Sequence, residues 1–290
     1  MRARRAHVAG SFYPAEPKAL ARLVRELLSA AGAAIDAPLH DARWGGLAPH
    51  AGYVYSGFTA AALYASVSVE PETVAFCGSV HVRGLTCSAL DAHREWQTPL
   101  GAIAPDRTLG DAILAAAGDL AQANPVAHDQ DHAIEVQLPF VQTLWPAARF
   151  VAMTVPADDR ASALGEAIAA AARSTGRRIL LVASSDLTHY GERFGFTPFG
   201  SGEAALRRAH GQNDLELLQR LEAMDPAGAL AHAGQNRSAC GGGALAAVWT
   251  AAARLGATGA RVLAQTSSSA EEGDPRAAAS VGYGAVTLVG

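Results

Sequence analysis

The sequence alternates short apolar runs with longer stretches of helical spacing, and this alternation constrains the fold more than any other feature. An apolar run bounded by turn residues predicts a strand, whereas apolar positions three and four residues apart predict a helix. Strands that alternate with helices favour an α/β fold with a central, mostly parallel or mixed sheet and helices on both of its faces. The predicted strands are residues 44–48, 73–78, 149–155, 178–183, 261–266 and 283–289, and the predicted helices are residues 19–31, 57–66, 107–117, 160–174, 203–222 and 242–255.

Composition and charge restrict the class of protein. The 290 residues are 50% hydrophobic and 17% charged, which provides enough apolar material for a sizeable core. Because no Pro/Ser-rich linker and no internal repeat divides the chain, residues 1–290 are predicted to form a single domain. A formal net charge of −4 argues against a general nucleic-acid-binding protein, which needs a basic face.

The same sequence also argues against a membrane or secreted protein. No apolar stretch is long enough to cross a bilayer, and the arginine-rich amino terminus lacks the apolar segment of a secretory signal. The three cysteines are an odd number, which suits a reducing compartment better than a disulfide framework. The sequence therefore predicts a cytoplasmic protein with neither a membrane nor a nucleic acid as its partner.

Histidines follow three of the predicted strands at the point where each strand ends. His50 follows the first strand, His81 the second, and Asp186 and His189 the fourth. In an open α/β sheet, ligands bind beyond the carboxyl ends of the strands. Two imidazoles from neighbouring strand ends can bind one metal ion, although each histidine taken alone is more often an ordinary loop residue.

Cys240 stands directly before the glycine-rich start of the helix predicted at residues 242–255. The backbone N–H groups of a helix start favour a thiolate, and the glycines allow another group to approach the backbone closely. The alternative is a small buried cysteine with no chemical role. Cys77 and Cys87 have no comparable context and are predicted to be structural.

Two further pairs of polar residues carry candidate chemistry. Asp186 and His189 are either a carboxylate that orients a proton-transferring histidine, or a helix N-cap with a surface histidine nearby. His132 and Glu135, three residues apart at a predicted helix start, suit a supporting role around a metal ion, or a capping arrangement. The glycine- and phenylalanine-containing residues 192–202 are either an ordinary surface connection or a lid over the site.

Five motifs of the chain are GSFYP at 10–14, APHAGYVYSG at 48–57, DQDHAIEVQLPF at 129–140, SSDLTHYG at 184–191 and ACGGGA at 239–244. Together they resemble the Memo family, whose prokaryotic members are also called AmmeMemoRadiSam system protein B. They occur in the family's order and span nearly the whole chain. The fold of this family is similar to that of the class III extradiol (LigB-like) dioxygenases, which implies a central sheet flanked by helices.

The resemblance implies a metal site built from two histidines and a cysteine, which by motif are His50, His81 and Cys240. The cofactor it implies is one redox metal ion, iron or copper, with zinc as a further candidate because a thiolate is a soft ligand. The remaining pocket residues that it implies are Asp186, His189 and His132.

Two features of this chain depart from the related patterns. The family usually has Gly-Pro-Ser/Asn-His at its second ligand, whereas this chain has Gly78-Ser79-Val80-His81, which loosens that turn. The dioxygenases bind iron with two histidines and a carboxylate, whereas a thiolate takes the third position here. Similarity of fold therefore does not by itself carry dioxygenase activity to this protein.

These observations predict a dioxygenase-like oxidoreductase that acts on a small, phenolic or catechol-like substrate. His189, Asp186 and His132 would take part in catalysis, with Glu135 in support. One alternative is a non-catalytic binding or adaptor protein whose pocket holds a peptide or small ligand, and another is a metal-free hydrolase that uses Cys240 with His50 or His81. The resemblance also implies a functional link to a radical-SAM protein.

Overall fold

The computed structural model describes residues 2–290 and contains a nine-stranded sheet and a separate two-stranded hairpin. The strands are β1 (Ala42–Ala48), β2 (Thr73–Gly78), β3 (Ser88–Leu90), β4 (Trp96–Thr98), β5 (Gly101–Ile103), β6 (Ala121–Ala123), β7 (Arg149–Thr154), β8 (Ile179–Ser184), β9 (His189–Gly191), β10 (Gly259–Ser267) and β11 (Ala279–Val289). The helices are α1 (Pro17–Ala34), α2 (Tyr53–Ser66), α3 (Arg107–Ala117), α4 (Leu138–Leu144), α5 (Ala161–Thr175), α6 (Glu203–Arg208), α7 (Asp214–Glu222), α8 (Pro226–Asn236), α9 (Gly242–Leu255) and α10 (Ser268–Glu271).

The sheet is mixed, with parallel strands at its centre. Its order is β10-β11-β1-β8-β2-β7-β3-β6, and β9 pairs with β11 outside this path. The neighbours β1, β8, β2 and β7 run parallel to one another, whereas β11 pairs antiparallel with β1, β10 and β9. The predicted α/β fold with a central mixed sheet is confirmed.

Helices cover both faces of the sheet because the central strands are apolar on both sides. Along β2, Val74 and Phe76 join a core with α1, α2 and α4, whereas Ala75 and Cys77 join a second core with α3, α5 and α9. This two-sided burial is typical of parallel strands between two helical layers. Burial also raises the pKa of the Cys77 thiol to about 12, which agrees with its predicted structural role.

The paired glycines of β1 allow three strands to pack at the centre of the sheet. Gly45 and Gly46 have φ angles of +94° and +153°, and a Cβ on either would lie within 2 Å of a carbonyl oxygen of the neighbouring strand. A Cβ on Gly45 would meet the Leu181 carbonyl oxygen of β8, and a Cβ on Gly46 would meet the Val286 carbonyl oxygen of β11. Only glycine fits both positions, so this bulged pair fixes the path of the chain toward His50.

The long predicted elements agree with the structure, and the differences have local causes. The helix predicted at residues 203–222 is interrupted by a π-helical turn at Ala209–Asn213, which separates α6 from α7. The short strands β3, β4, β5, β6 and β9 were not predicted, since three residues carry too little periodicity. Within residues 2–290, no helix has both the length and the apolar character needed to cross a membrane.

Candidate metal centre

The candidate site lies at the carboxyl ends of β1, β8 and β2, which are adjacent parallel strands. His50 follows β1, His81 follows β2, and Asp186 follows β8, so this adjacency brings together residues that are distant in sequence. Cys240 joins them from the segment before α9, where its backbone N–H donates a 3.2 Å hydrogen bond to the Asp186 carbonyl oxygen.

Three histidine rings and one sulfur atom converge at this edge. The Nε2 atom of His50 lies 3.5 Å from the Sγ atom of Cys240. The ring of His132 stacks on that of His81 at 4.6 Å between centroids, and both rings lie edge-on to His50 at 5.5 and 5.3 Å. Ligand atoms of the three histidines lie within 4.8 Å of one another, a spacing that could hold a metal ion. His132, predicted as a pocket residue, therefore stands as close to this point as the two predicted histidine ligands.

The hydrogen bonds of His50 determine which ring nitrogen faces the sulfur. Its Nδ1 atom lies 3.2 Å from the Ser184 hydroxyl, which itself donates to the Ala133 carbonyl oxygen and accepts from the Gln137 amide. Because that hydroxyl has used its only proton, it can only accept from His50. The Nδ1 atom is therefore protonated, so the Nε2 atom faces Cys240 and is the nitrogen that must lose its proton before it can bind a metal ion.

The charges of the site hold Cys240 as a thiolate. Burial opposes its ionisation, but the charge of His50 and contacts with the neighbouring histidines lower the pKa of Cys240 well below its usual value. The Ser79 hydroxyl lies 3.2 Å from the same sulfur atom. A thiolate, not a thiol, is the form in which a cysteine can bind a metal ion.

The three histidines differ in their affinity for protons. Burial lowers the pKa of His50, but Asp186 and Cys240 outweigh it and raise the value to about 9. Burial likewise disfavours charged His81, but hydrogen bonds with Asp131 and Cys240 raise its pKa to about 10. Burial and the charges of His50 and His81 lower the pKa of His132 to about 3, so His132 is neutral at physiological pH.

Asp131 is a site residue that sequence reasoning missed. Its buried Oδ1 atom lies 3.0 Å from His81 Nδ1 and accepts a further hydrogen bond from the Ala133 backbone. A carboxylate on the outer nitrogen of a ligating histidine fixes the ring and strengthens it as a ligand. The available signal was the Asp that directly precedes His132 in the DQDHAIE motif.

Replacing Asp131 by asparagine is expected to weaken metal binding by about 10- to 100-fold, the usual cost of losing such a partner. The amide keeps the shape of the carboxylate but not its charge. The affinity is measured by competition with a chromophoric chelator. The matched control is Asp129→Asn, because Asp129 binds Arg2 and His93 instead of the three histidines. Equal affinity in Asp131→Asn and the wild type would contradict this role.

Asp186 and His189 lie at the site, but they are not hydrogen-bonded to each other. Their Oδ2 and Nε2 atoms are 3.8 Å apart, and the other Asp186 oxygen accepts a 2.7 Å hydrogen bond from the His50 backbone. Burial raises the pKa of Asp186, against the opposing charge of His50. The side chain of His189 is 34% exposed, so it can reach both the site and the solvent.

Glu135 lies apart from the histidine cluster and binds the amino-terminal segment. Its buried carboxylate pairs with Arg4 at 2.7 Å and accepts hydrogen bonds from the Tyr13 hydroxyl and from two backbone N–H groups. Arg4 also donates to the carbonyl oxygens of His128 and Asp131. Glu135 therefore supports the site indirectly, since this network anchors the segment that carries Asp131.

Glu135→Ala is expected to destabilise the protein by about 3–5 kcal/mol, because it leaves Arg4 buried without a counter-charge. The free energy of unfolding is measured by urea titration. In the comparison variant Glu166→Ala, a largely exposed pair with Arg254 is lost, and the expected cost is about 0–1 kcal/mol. Similar losses in the two variants would show that the buried pair contributes little.

The loop at residues 192–202 packs beside His189. The Phe194 ring lies 5.0 Å from the His189 ring, and Arg237 donates hydrogen bonds to the carbonyl oxygens of Phe194 and Gly195. Arg237 is three residues before Cys240, so this contact links the loop to the cysteine segment. Movement of the loop as a lid stays a prediction.

Comparisons with known proteins identify the family. A family model described as Memo-like protein matches residues 4–287. The chain belongs to the Memo-like family. A MEMO1 family protein of Pyrococcus furiosus is 32% identical to it over 274 residues, which cover 91% of this chain and 92% of the relative. MEMO1 family proteins of Pyrococcus horikoshii and Methanosarcina barkeri are also 32% identical, over 97% of this chain and 97% and 98% of the relatives.

The family assignment confirms the resemblance read from the five motifs of this Memo-like protein. A crystal structure of an uncharacterized Escherichia coli K12 protein gives a TM-score of 0.39 at 13% identity, over 74% of this chain and 86% of that chain. A likeness at that level carries no argument about function. The case for a metal site in this Memo-like protein therefore depends on its own side chains.

Proposed function

We propose that this Memo-like protein is a metal-dependent, dioxygenase-like oxidoreductase that holds one redox metal ion, iron or copper, between His50, His81 and Cys240. The observation that carries the proposal is the 3.5 Å distance between His50 Nε2 and Cys240 Sγ. Nitrogen and sulfur ligands of zinc, at about 2.0–2.1 Å and about 2.3 Å from the ion, would lie about 3.6 Å from each other in a tetrahedral set. The two atoms already have the spacing of ligands that share one ion.

The donor set fits a redox metal. It offers two imidazoles and a thiolate, a combination that suits copper and iron as well as zinc. When bound, such an ion would supply the one-electron chemistry that side chains cannot. His132 adds a third imidazole, which is neutral because its pKa is about 3. It is therefore available either as a further ligand or as a hydrogen-bond partner for a substrate.

His189 is the residue best situated to move a proton. Its Nε2 atom is buried and has no hydrogen-bond partner within residues 2–290, while part of the side chain is exposed. This nitrogen would accept the proton of a substrate hydroxyl. Asp186, 3.8 Å away, would stabilise the resulting imidazolium.

Two phenylalanine rings favour an aromatic, phenolic or catechol-like substrate. The Phe12 ring contacts His132 at 4.9 Å between centroids, and the Phe194 ring contacts His189 at 5.0 Å. Aromatic rings pack favourably edge-to-face or offset against other rings. A planar substrate would therefore meet one aromatic side chain beside each of the two pocket histidines.

The test begins with elemental analysis of freshly purified, untagged protein, followed by anaerobic titration with iron(II) and copper(I). We expect about one bound ion per chain, and oxygen consumption when catechols are added to the loaded protein. His189→Gln is expected to keep the metal and lose oxygen consumption, because the proton acceptor is removed while His50, His81 and Cys240 stay in place. Failure to take up either metal would overturn the proposal. Metal uptake without turnover of any phenol, together with tight peptide binding, would instead favour an adaptor protein.

A further inference from the structure

A second concave site lies at the opposite edge of the sheet, where the parallel strands β1 and β8 begin. Its walls also come from the connection before β2 and from the ends of α5 and α9. The cavity has a volume of about 530 Å³, within the range of about 300–1,000 Å³ typical of small-molecule sites. Its apolar surface includes Trp44, Val69, Pro71, Ile179 and Leu255.

The charged groups of this cavity are mainly positive. Four arginines and one acid, Glu70, line it, whereas the whole chain has a formal net charge of −4. A concentration of guanidinium groups beside an apolar wall complements a ligand with an apolar body and an anionic head group. The arginines are Arg43, Arg173, Arg177 and Arg178.

Two of these arginines retain uncompensated charge. The other two, Arg177 and Arg178, lie 3.1 and 3.6 Å from the carboxylates of Asp106 and Glu72. Arg43 and Arg173 form no ion pair with an acidic side chain of residues 2–290. Arg173 donates one hydrogen bond to the Arg254 carbonyl oxygen, which leaves its other N–H groups for a ligand.

We propose that this cavity binds a small amphiphilic anion, with its apolar body against Trp44 and Val69 and its carboxylate or phosphate group on Arg43 and Arg173. A guanidinium offers paired N–H groups that match the oxygens of either anion. The cavity lies where β1 and β8 begin, whereas the histidines lie beyond the carboxyl ends of the strands. Binding of the anion therefore does not depend on the metal centre.

The test is isothermal titration calorimetry with three compounds that share one phenylpropyl body: 4-phenylbutyrate, 3-phenylpropyl phosphate and the neutral 4-phenylbutyramide. We expect at least one anion to bind about tenfold or more tightly than the amide, with an affinity that falls as salt is added. The tighter anion identifies the head group. Binding should also change tryptophan fluorescence, because Trp44 lines the cavity while Trp96, Trp145 and Trp249 are buried elsewhere.

Arg43→Gln/Arg173→Gln is expected to abolish the preference for the anion, and the single variant Arg43→Gln to reduce it. The matched control is Arg22→Gln/Arg25→Gln, which removes two exposed arginines of α1 and should leave binding unchanged. His50→Ala should also bind normally. Equal binding of the amide, no binding of any compound at millimolar concentration, or an unchanged preference in Arg43→Gln would each overturn the proposal. If the double variant unfolds, Arg43→Gln alone decides.

Discussion

Cys240→Ser and His50→Ala are each expected to bind iron(II) or copper(I) far more weakly than the wild type. The loss should exceed the roughly 10- to 100-fold that follows removal of an outer partner, because each variant removes a ligand atom itself. Serine keeps the size of cysteine but offers a hydroxyl in place of a thiolate, and alanine removes the Nε2 atom that lies 3.5 Å from the sulfur. Elemental analysis after anaerobic loading and gel filtration measures the retained metal.

The matched control for the cysteine is Cys87→Ser, since Cys87 is only partly buried and was predicted to have no chemical role. It should keep about one ion per chain. If Cys240→Ser also kept one ion with unchanged affinity, the thiolate would not be a ligand. The three histidines, which lie within 4.8 Å of one another, would then be the whole metal-binding group.

Metal affinity is expected to rise steeply with pH, by up to about 100-fold per pH unit below pH 8. In the metal-free protein the pKa values of His50 and His81 are raised to about 9 and 10, so both rings are protonated at pH 7. Each must lose its proton to bind a metal, and each lost proton contributes about tenfold per pH unit. Cys240 and His132 contribute none, since one is already a thiolate and the other is already neutral.

The sign of this dependence follows from the raised histidine pKa values. Protons compete with the metal below pH 9, the competition weakens as the pH passes 9 and then 10, and the affinity should level off above that range. Chelator competition from pH 6.5 to 9.5, with calorimetry in two buffers of different ionisation enthalpy, measures the slope and the protons released. Release of about two protons at pH 7 is the expected result. Release of none would contradict the charged imidazoles, and release of three would show that the cysteine is a thiol.

The sequence predicted most of the long elements because each is a repeated local signal, although α8 was not predicted. In α1, the buried positions Leu20, Val24, Leu28 and Ala31 follow the helical repeat, and Pro17 and the Glu16 cap mark where the helix begins. The short strand β9 was not predictable in this way. Its three residues become a strand only because they pair with Ala279–Val281 of β11.

The part of the candidate site that lies in short sequence motifs was predictable. His50, His81 and Cys240 were named from strand ends and from the Memo resemblance, and the structure brings all three to one edge of the sheet. Asp131 and Ser184 were missed because their importance depends on which nitrogen of a histidine they contact. Glu135 was expected to support the metal ion, but it binds Arg4 instead. This pairing was not predictable from local pattern, because Arg4 lies 131 positions away in the chain.

The sequence by itself determined the α/β class, the family and the residue types available for chemistry. Apolar periodicity and short motifs are local properties, and they persist in the chain before it folds. Only the tertiary structure decided that β8 lies between β1 and β2, which brings residues 50, 81 and 186 together. It also decided which histidines carry protons, because burial and neighbouring charge depend on atoms that meet only after folding.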